Sequence, residues 1–321
     1  MRSVFLSLLF SIFAMLSVMA AAAQPSHAAK PAADATAAFT VGTLHVQQYG
    51  DHGQPVILIP GLAGGAWVWQ DTIAHLRAGH QVYALTLAGF DGTPPPAIET
   101  GLMEQANASL LELIRTRHID KPVLIGHSLG GTLAIRFATQ HADLLGGVIA
   151  VDGLPIFPGM QTMTEAQRQS AAERMHTQMA ALTPAQFKAQ QLQYMQQIGV
   201  IDPTMAEKYA AMTARSDPAA TAQYMAEDVA ADDRASLQHI DVPLLEISPY
   251  YAPDFEKMAQ AGHQPAFTGQ QKADYYRQLL SGAPQLQVVS IAPSRHFVML
   301  EQPQRFQTVI DSFLAAQVAR P

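Results

Sequence analysis

Gly126-His127-Ser128-Leu129-Gly130 is the stretch of this sequence whose residue types and spacing could do chemistry. The apolar run Val123–Ile125 leads into it and an apolar, helix-compatible segment leaves it, so the serine stands on a strand-to-helix turn. A turn this sharp strains the backbone and holds the hydroxyl clear of neighbouring side chains. Gly126 and Gly130 bring no Cβ to the point where strand and helix crowd together. The helix that follows would aim free N–H groups and its positive dipole end at the reaction centre, where negative charge develops. The chemistry this suits is attack by the Ser128 hydroxyl on a carbonyl carbon.

A serine hydroxyl needs a positioned base. His296, in Ala292-Pro293-Ser294-Arg295-His296-Phe297, follows the last apolar run, and a loop at the carboxyl end of a parallel sheet would bring it over Ser128. His75, His118 and His176 fall in helical segments, His45 is at an edge strand, and His127 is locked beside the serine. The chain order Ser…Asp/Glu…His requires an acid between them. Asp254, after the penultimate strand, is the first candidate, and Asp152, at the end of the strand after the elbow helix, is the alternative. An oxyanion hole needs two backbone donors. Leu129 N–H supplies one, and Leu62, in Gly61-Leu62-Ala63-Gly64-Gly65, is the expected second. This glycine-rich loop lacks the lysine and Ser/Thr of a phosphate cradle.

The elements that must hold these residues alternate. Phe39–Tyr49 reads as an antiparallel edge strand, and Val56–Ile59 and Gln81–Leu87 as buried strands. Ala66–Leu76 and Glu99–Arg117 read as helices, and Gly147–Val151 as the strand after the elbow helix. Trp67 and Trp69 read as packing residues rather than a substrate platform. Strand-helix alternation predicts an α/β fold, a doubly wound, mostly parallel sheet with right-handed crossovers. From Gly153 to about Leu237 the texture changes: strands are absent, Met, Gln and Ala dominate, and eight of the fourteen methionines fall here. This predicts a helical cap inserted after Val151, with breaks near Pro184, Pro203 and Pro218. The sheet resumes with Val242–Ile247 and Leu286–Ile291, separated by a helix over Gln270–Leu280 and followed by one over Gln304–Val318.

Composition narrows the classes further. Hydrophobic residues make up 49% of the chain and charged residues 14%, enough apolar surface for a sizeable core. A formal net charge of −7 disfavours nucleic acid as a partner. The absence of cysteine excludes disulfides, thiolate metal sites and cysteine nucleophiles. Residues 1–23 read as a signal peptide: Arg2, an apolar run over Val4–Ala20, then Ala21-Ala22-Ala23 before Gln24, with a second possible cut after Ala28. Residues 24–38 read as an Ala/Pro-rich leader and 39–321 as one domain carrying the cap at about 153–237. The expectation is a periplasmic or secreted protein with no stable membrane insertion after cleavage. An uncleaved membrane anchor is the rival reading of the first segment.

These motifs together, Pro60-Gly61-Leu62-Ala63-Gly64-Gly65-Ala66-Trp67, Leu87-Ala88-Gly89-Phe90-Asp91-Gly92, Gly126–Gly131 and Arg295–Pro303, resemble the α/β-hydrolase family, specifically its capped serine hydrolases. The resemblance spans about Val41 to Val318. It implies a Ser128, His296 and acid triad, no cofactor and no metal, and a small-molecule ester as substrate. Two positions depart from the family pattern. Pro60 stands where the oxyanion loop commonly begins with histidine, and Glu246-Ile247-Ser248-Pro249-Tyr250-Tyr251 replaces the compact glycine-aspartate loop. The same triad would serve C–C-bond hydrolysis, lactone opening or perhydrolysis. Haloalkane dehalogenation is disfavoured, since it needs a carboxylate at position 128. A non-catalytic ligand-binding homologue is the remaining alternative.

Overall fold

The computed structural model describes residues 35–97, 101–262 and 265–318. The expected signal peptide lies outside these residues, as does most of the leader.

The described residues build one eight-stranded sheet in the order β1-β2-β4-β3-β5-β6-β7-β8. The first strands are β1 (Ala37–Val41) and β2 (Leu44–Tyr49), an antiparallel hairpin where the sequence suggested a single strand. Its turn sits at Gly42, whose φ of 52° suits glycine, and a Cβ there would lie 2.2 Å from Ser109 Oγ. Next come β3 (Val56–Ile59), a single 3₁₀ turn at Ala66–Trp69, α1 (Gln70–Leu76), β4 (Val82–Leu87) and α2 (Leu102–Thr116). The elbow region follows as β5 (Val123–His127), α3 (Leu129–His141) and β6 (Gly147–Val151). From β3 onward neighbouring strands run parallel, whereas β2 joins β4 antiparallel.

Strand alternation feeds two apolar layers. Ile57 and Ile59 face one, with Leu110 and Leu113 of α2 and Leu133 and Phe137 of α3. Val56 and Leu58 face the other, with Ile73 and Leu76 of α1. Both faces are therefore covered, and β3 reads as a continuous apolar run for that reason. Each such buried side chain contributes roughly 1.5–3 kcal/mol relative to exposure. Trp69 is fully buried and Trp67 is 7% exposed, stacked on Tyr209 at 5.3 Å, so both tryptophans are packing residues.

Between β6 and β7 run four helices: α4 (Glu165–Ala180), α5 (Pro184–Tyr194), α6 (Pro203–Thr213) and α7 (Pro218–Ala230). Pro184, Pro203 and Pro218 stand at helix starts, where a missing N–H costs nothing, behind the N-caps Thr183, Asp202 and Asp217. A π-helical turn over Met195–Gly199 continues α5. Met160, Met175, Met179 and Met195 are buried in the apolar core.

The chain returns to the sheet as β7 (Leu244–Pro249) and then forms α8 (Ala252–Gly262), an element the sequence reading did not anticipate. Pro253 argues against helix only in an interior; in the first turn its fixed φ favours one. After α9 (Gly269–Leu279) come β8 (Leu286–Ile291), the short α10 (Val298–Glu301) and α11 (Pro303–Val318). Phe306, Ile310, Phe313 and Leu314 of α11 pack into the same layer as α1.

Candidate active site

Ser128 has φ 53° and ψ −121°, a conformation that β-carbon sterics make costly. Its neighbours hold it there. Ser128 N–H donates to Val151 O at 2.8 Å, and Ser128 O accepts from Thr132 N–H at 3.0 Å. A Cβ on Gly126 would lie 2.1 Å from Gly130 O, and one on Gly130 would lie 2.3 Å from Ile59 O. Both glycines are thus required by backbone packing.

The loop after β3 lies directly against the serine. A Cβ on Gly61 would stand 3.1 Å from Ser128 Cβ. The loop closes through Gly64 N–H to Gly61 O at 3.0 Å, with Ala63 at φ 56°. Leu62 is half-buried on it. Leu129 is the first residue of α3, so its amide is one of the four that a helix start leaves without an intrahelical acceptor.

His296 lies on the loop between β8 and α10. Its Nδ1 is 2.5 Å from Asp152 Oδ2, and both side chains are largely buried. His127 and His296 rings lie 4.5 Å apart between centroids, and His127 Nε2 donates to His296 O at 3.1 Å. Burial, and then the neighbouring His296, push the His127 pKa well down, so this ring is neutral. Its Nδ1 has no hydrogen-bond partner, as a neutral Nε2–H tautomer leaves it. The loop is tied to the π-helical turn: His296 N–H donates to Ile198 O at 3.2 Å and Phe297 N–H to Gly199 O at 3.1 Å.

Asp254, the first-choice acid from sequence, is elsewhere. It sits in the first turn of α8 and pairs with Arg295, so the residue against His296 is Asp152. The physical reason is that the chain after β7 coils into α8, whose first turn carries the Asp254 carboxylate to the Arg295 guanidinium, one residue from His296, and not to the imidazole itself. Asp152 instead follows β6 directly at φ 52°, with its N–H on Ile247 O at 3.0 Å. The sequence signal was present: an aspartate at a strand end followed at once by Gly153.

Three further side chains crowd Asp152. Tyr276 O–H donates to Oδ1, and Lys272 Nζ lies 3.3 Å from the same oxygen. Burial pushes the Asp152 carboxyl up, but Lys272, the His296 hydrogen bond and charge, and the Tyr276 hydroxyl outweigh it and hold it below the usual carboxylate range. Glu246, in the middle of β7, is wholly buried, with the backbone N–H groups of Asp152 and Gly153 toward its carboxyl. Burial first, and then the Asp152 charge, push it well above the usual range. None of these three was assigned a place at the site from sequence, although a glutamate inside an apolar strand run was a visible anomaly.

A strained serine on the turn after β5, and a histidine after β8 held by a buried aspartate after β6, follow the carboxyl ends of strands in a mostly parallel sheet, the arrangement of α/β proteins with a nucleophile elbow. Residues 56–307 match the sequence profile of the alpha/beta hydrolase family, and the chain belongs to that family. Curated relatives align over one segment only. A probable esterase PIR7A of Oryza sativa subsp. indica is 39% identical over 93 residues, which is 28% of this chain and 35% of that protein. Epoxide hydrolase 3 of Xenopus tropicalis is 32% identical over 110 residues, 34% of this chain and 30% of the relative. The chain thus spans about a third of the length of these relatives. Solved structures align over nearly the whole domain. A thermophilic esterase from Thermogutta terrifontis gives TM-score 0.64 at 23% identity, covering 88% of this chain and 99% of the other. The enol-lactonase from Burkholderia xenovorans gives 0.61 at 21%, covering 89% and 100%. These two likenesses concern the fold. Among the described residues no cluster of three or more His, Asp or Glu could hold a metal, and no helix is long and apolar enough to cross a membrane.

Proposed function

We propose that this chain is a serine hydrolase that cleaves carboxylic esters of small to medium apolar substrates through an acyl-enzyme. Ser128 Oγ attacks the ester carbonyl while His296 Nε2 takes its proton. The C–O bond to the alcohol then breaks, and imidazolium returns the proton to the leaving oxygen. Water, deprotonated by His296, attacks the acyl carbon, and Ser128 leaves with the proton. Asp152 holds the Nδ1–H tautomer and stabilises imidazolium, and the Leu62 and Leu129 amides receive the oxyanion. No cofactor is required by this chemistry.

The observation that carries the reading is the 2.5 Å contact between His296 Nδ1 and Asp152. It orients the ring so that Nε2 is free for the serine on its strained elbow. Arg2 and the apolar run over Val4–Ala20 support export to the periplasm or medium. The test is hydrolysis of p-nitrophenyl esters of increasing acyl length, beside a lactone and a C–C-cleavable diketone, with fluorophosphonate labelling of the protein. Ester turnover and labelling that both vanish in Ser128→Ala support the proposal. An unlabelled wild type, or turnover confined to the lactone or diketone, overturns it.

A further inference from the structure

We propose that Lys272 is a positioning residue for the Asp152–His296 pair: its ammonium ion holds the second oxygen of the carboxylate and sets the pH at which the pair takes up its proton. The assignment of a catalytic consequence rests on the hydrolase reading above; the geometry does not. Lys272 is only 8% exposed, and lysines are almost never buried unless paired. It also lies in the first turn of α9, behind the capping box of Thr268 and Gln271, where the helix dipole disfavours a cation. Burial and dipole both oppose a lysine here. Its compensation is the Asp152 Oδ1 at 3.3 Å, the Pro249 carbonyl at 2.7 Å and the Tyr276 ring at 4.9 Å. A buried ion pair is weak evidence of a stability role, since an apolar residue of similar volume often serves folding as well.

The two oxygens of Asp152 are thereby divided: Oδ2 faces His296, and Oδ1 faces α9. The titratable and charged groups that act on this pair are Lys272 and Tyr276 from α9, Glu246 from β7, His127 from β5 and Tyr194 from α5. Of these, Lys272 is the one that acts on Asp152 through an opposite charge. A proton added to the His296–Asp152 pair creates positive charge beside that ammonium, which opposes it. Lys272 therefore opposes uptake of a proton by the pair, and with its charge removed the pair protonates at higher pH.

The experiment compares wild type, Lys272→Met and Lys272→Arg. The acid limb of the kcat/KM profile for a p-nitrophenyl ester moves to higher pH in Lys272→Met. The loss is roughly tenfold at about pH 6 and shrinks toward the alkaline plateau, with KM little changed. Lys272→Arg restores the limb. NMR titration of the His296 ring, which needs no turnover, moves in the same direction. A folded Lys272→Met variant whose limb and ring titration stay at the wild-type position overturns the proposal, as does a pH-independent loss of activity. A wild type without esterase activity would sink the hydrolase reading alone, and the ring titration would still decide the role of Lys272.

Discussion

Arg295 and Asp254 face each other as a two-pronged ion pair, Nε to Oδ2 and Nη2 to Oδ1, each at 2.7 Å. The remaining nitrogen, Nη1, donates to the carbonyls of Gln196 at 2.7 Å and Val200 at 3.0 Å. Arg295 N–H is held by Glu301 Oε2 at 2.7 Å, and the other oxygen of Glu301 accepts from Ile201 N–H at 2.6 Å. One residue thus ties α8, the π-helical turn of the insertion and the histidine loop together, immediately beside His296. A lysine keeps the charge but cannot reproduce the planar fork. In Arg295→Lys we expect kcat for ester hydrolysis to fall about tenfold, because a base displaced by a fraction of an ångström loses near-attack geometry. Circular dichroism and thermal melting should remain close to wild type, which separates the effect from unfolding. An unchanged kcat would show that the loop holds its place without the clamp.

The two aspartates weighed in the sequence now carry opposite expectations. Asp152→Asn keeps the shape of the residue against His296 but favours the wrong imidazole tautomer, so kcat should drop by about 10³–10⁴. Asp254→Asn loosens a partly exposed pair with Arg295 and should cost no more than about tenfold. Steady-state kinetics of both variants on one ester decides the matter. Equal losses would contradict the division of roles.

Much of the fold was legible because the parallel strands are buried on both faces and therefore read as continuous apolar runs, as at Val56–Ile59 and Val123–Ile125. Ser128 was legible because it stands at the end of such a run, and His296 because it lies on the loop that leaves the last strand, Leu286–Ile291. Asp254 misled because its rank depended on the path of a connection. Nothing local in Tyr250-Tyr251-Ala252-Pro253 announces that the chain coils into α8 rather than looping back. Lys272 and Tyr276 were invisible for a related reason. Their i, i+4 spacing reads as any helix face, and only the tertiary placement of α9 brings both to Asp152. The hairpin at β1 and β2 was read as a single strand because its turn is a two-residue Gly42-Thr43 step within a loosely alternating segment.

Backbone crowding at the elbow gives a stability prediction. An alanine Cβ at Gly130 would stand 2.3 Å from Ile59 O and 2.6 Å from Pro60 O, both fixed main-chain atoms. Gly130→Ala should therefore destabilise by more than about 2 kcal/mol in denaturant titration. Gly79 has open space where a Cβ would go, so Gly79→Ala should change stability by less than about 1 kcal/mol. Similar midpoints for the two variants would contradict the packing argument.

A last prediction concerns pH and the junction between the insertion and the sheet. Asp228, on α7, is pushed up from 3.8 to about 7: burial raises it, Arg136 and Thr132 pull it down, and Asp233 raises it again. An acid whose folded pKa lies above its unfolded value binds its proton more tightly when folded. Its contribution is most favourable below about pH 4, is lost progressively as pH rises, and is gone above about pH 7. The interval sets an upper bound of roughly 4 kcal/mol, and a polar junction with Arg136 and Asp233 ion-paired at 3.0 Å should deliver less. Asp228→Asn removes the titration. Denaturant unfolding between about pH 4 and 7 should therefore show wild-type stability declining relative to Asp228→Asn, and the difference should level off at higher pH. A difference that stays constant across this window would mean that Asp228 titrates as an ordinary exposed aspartate.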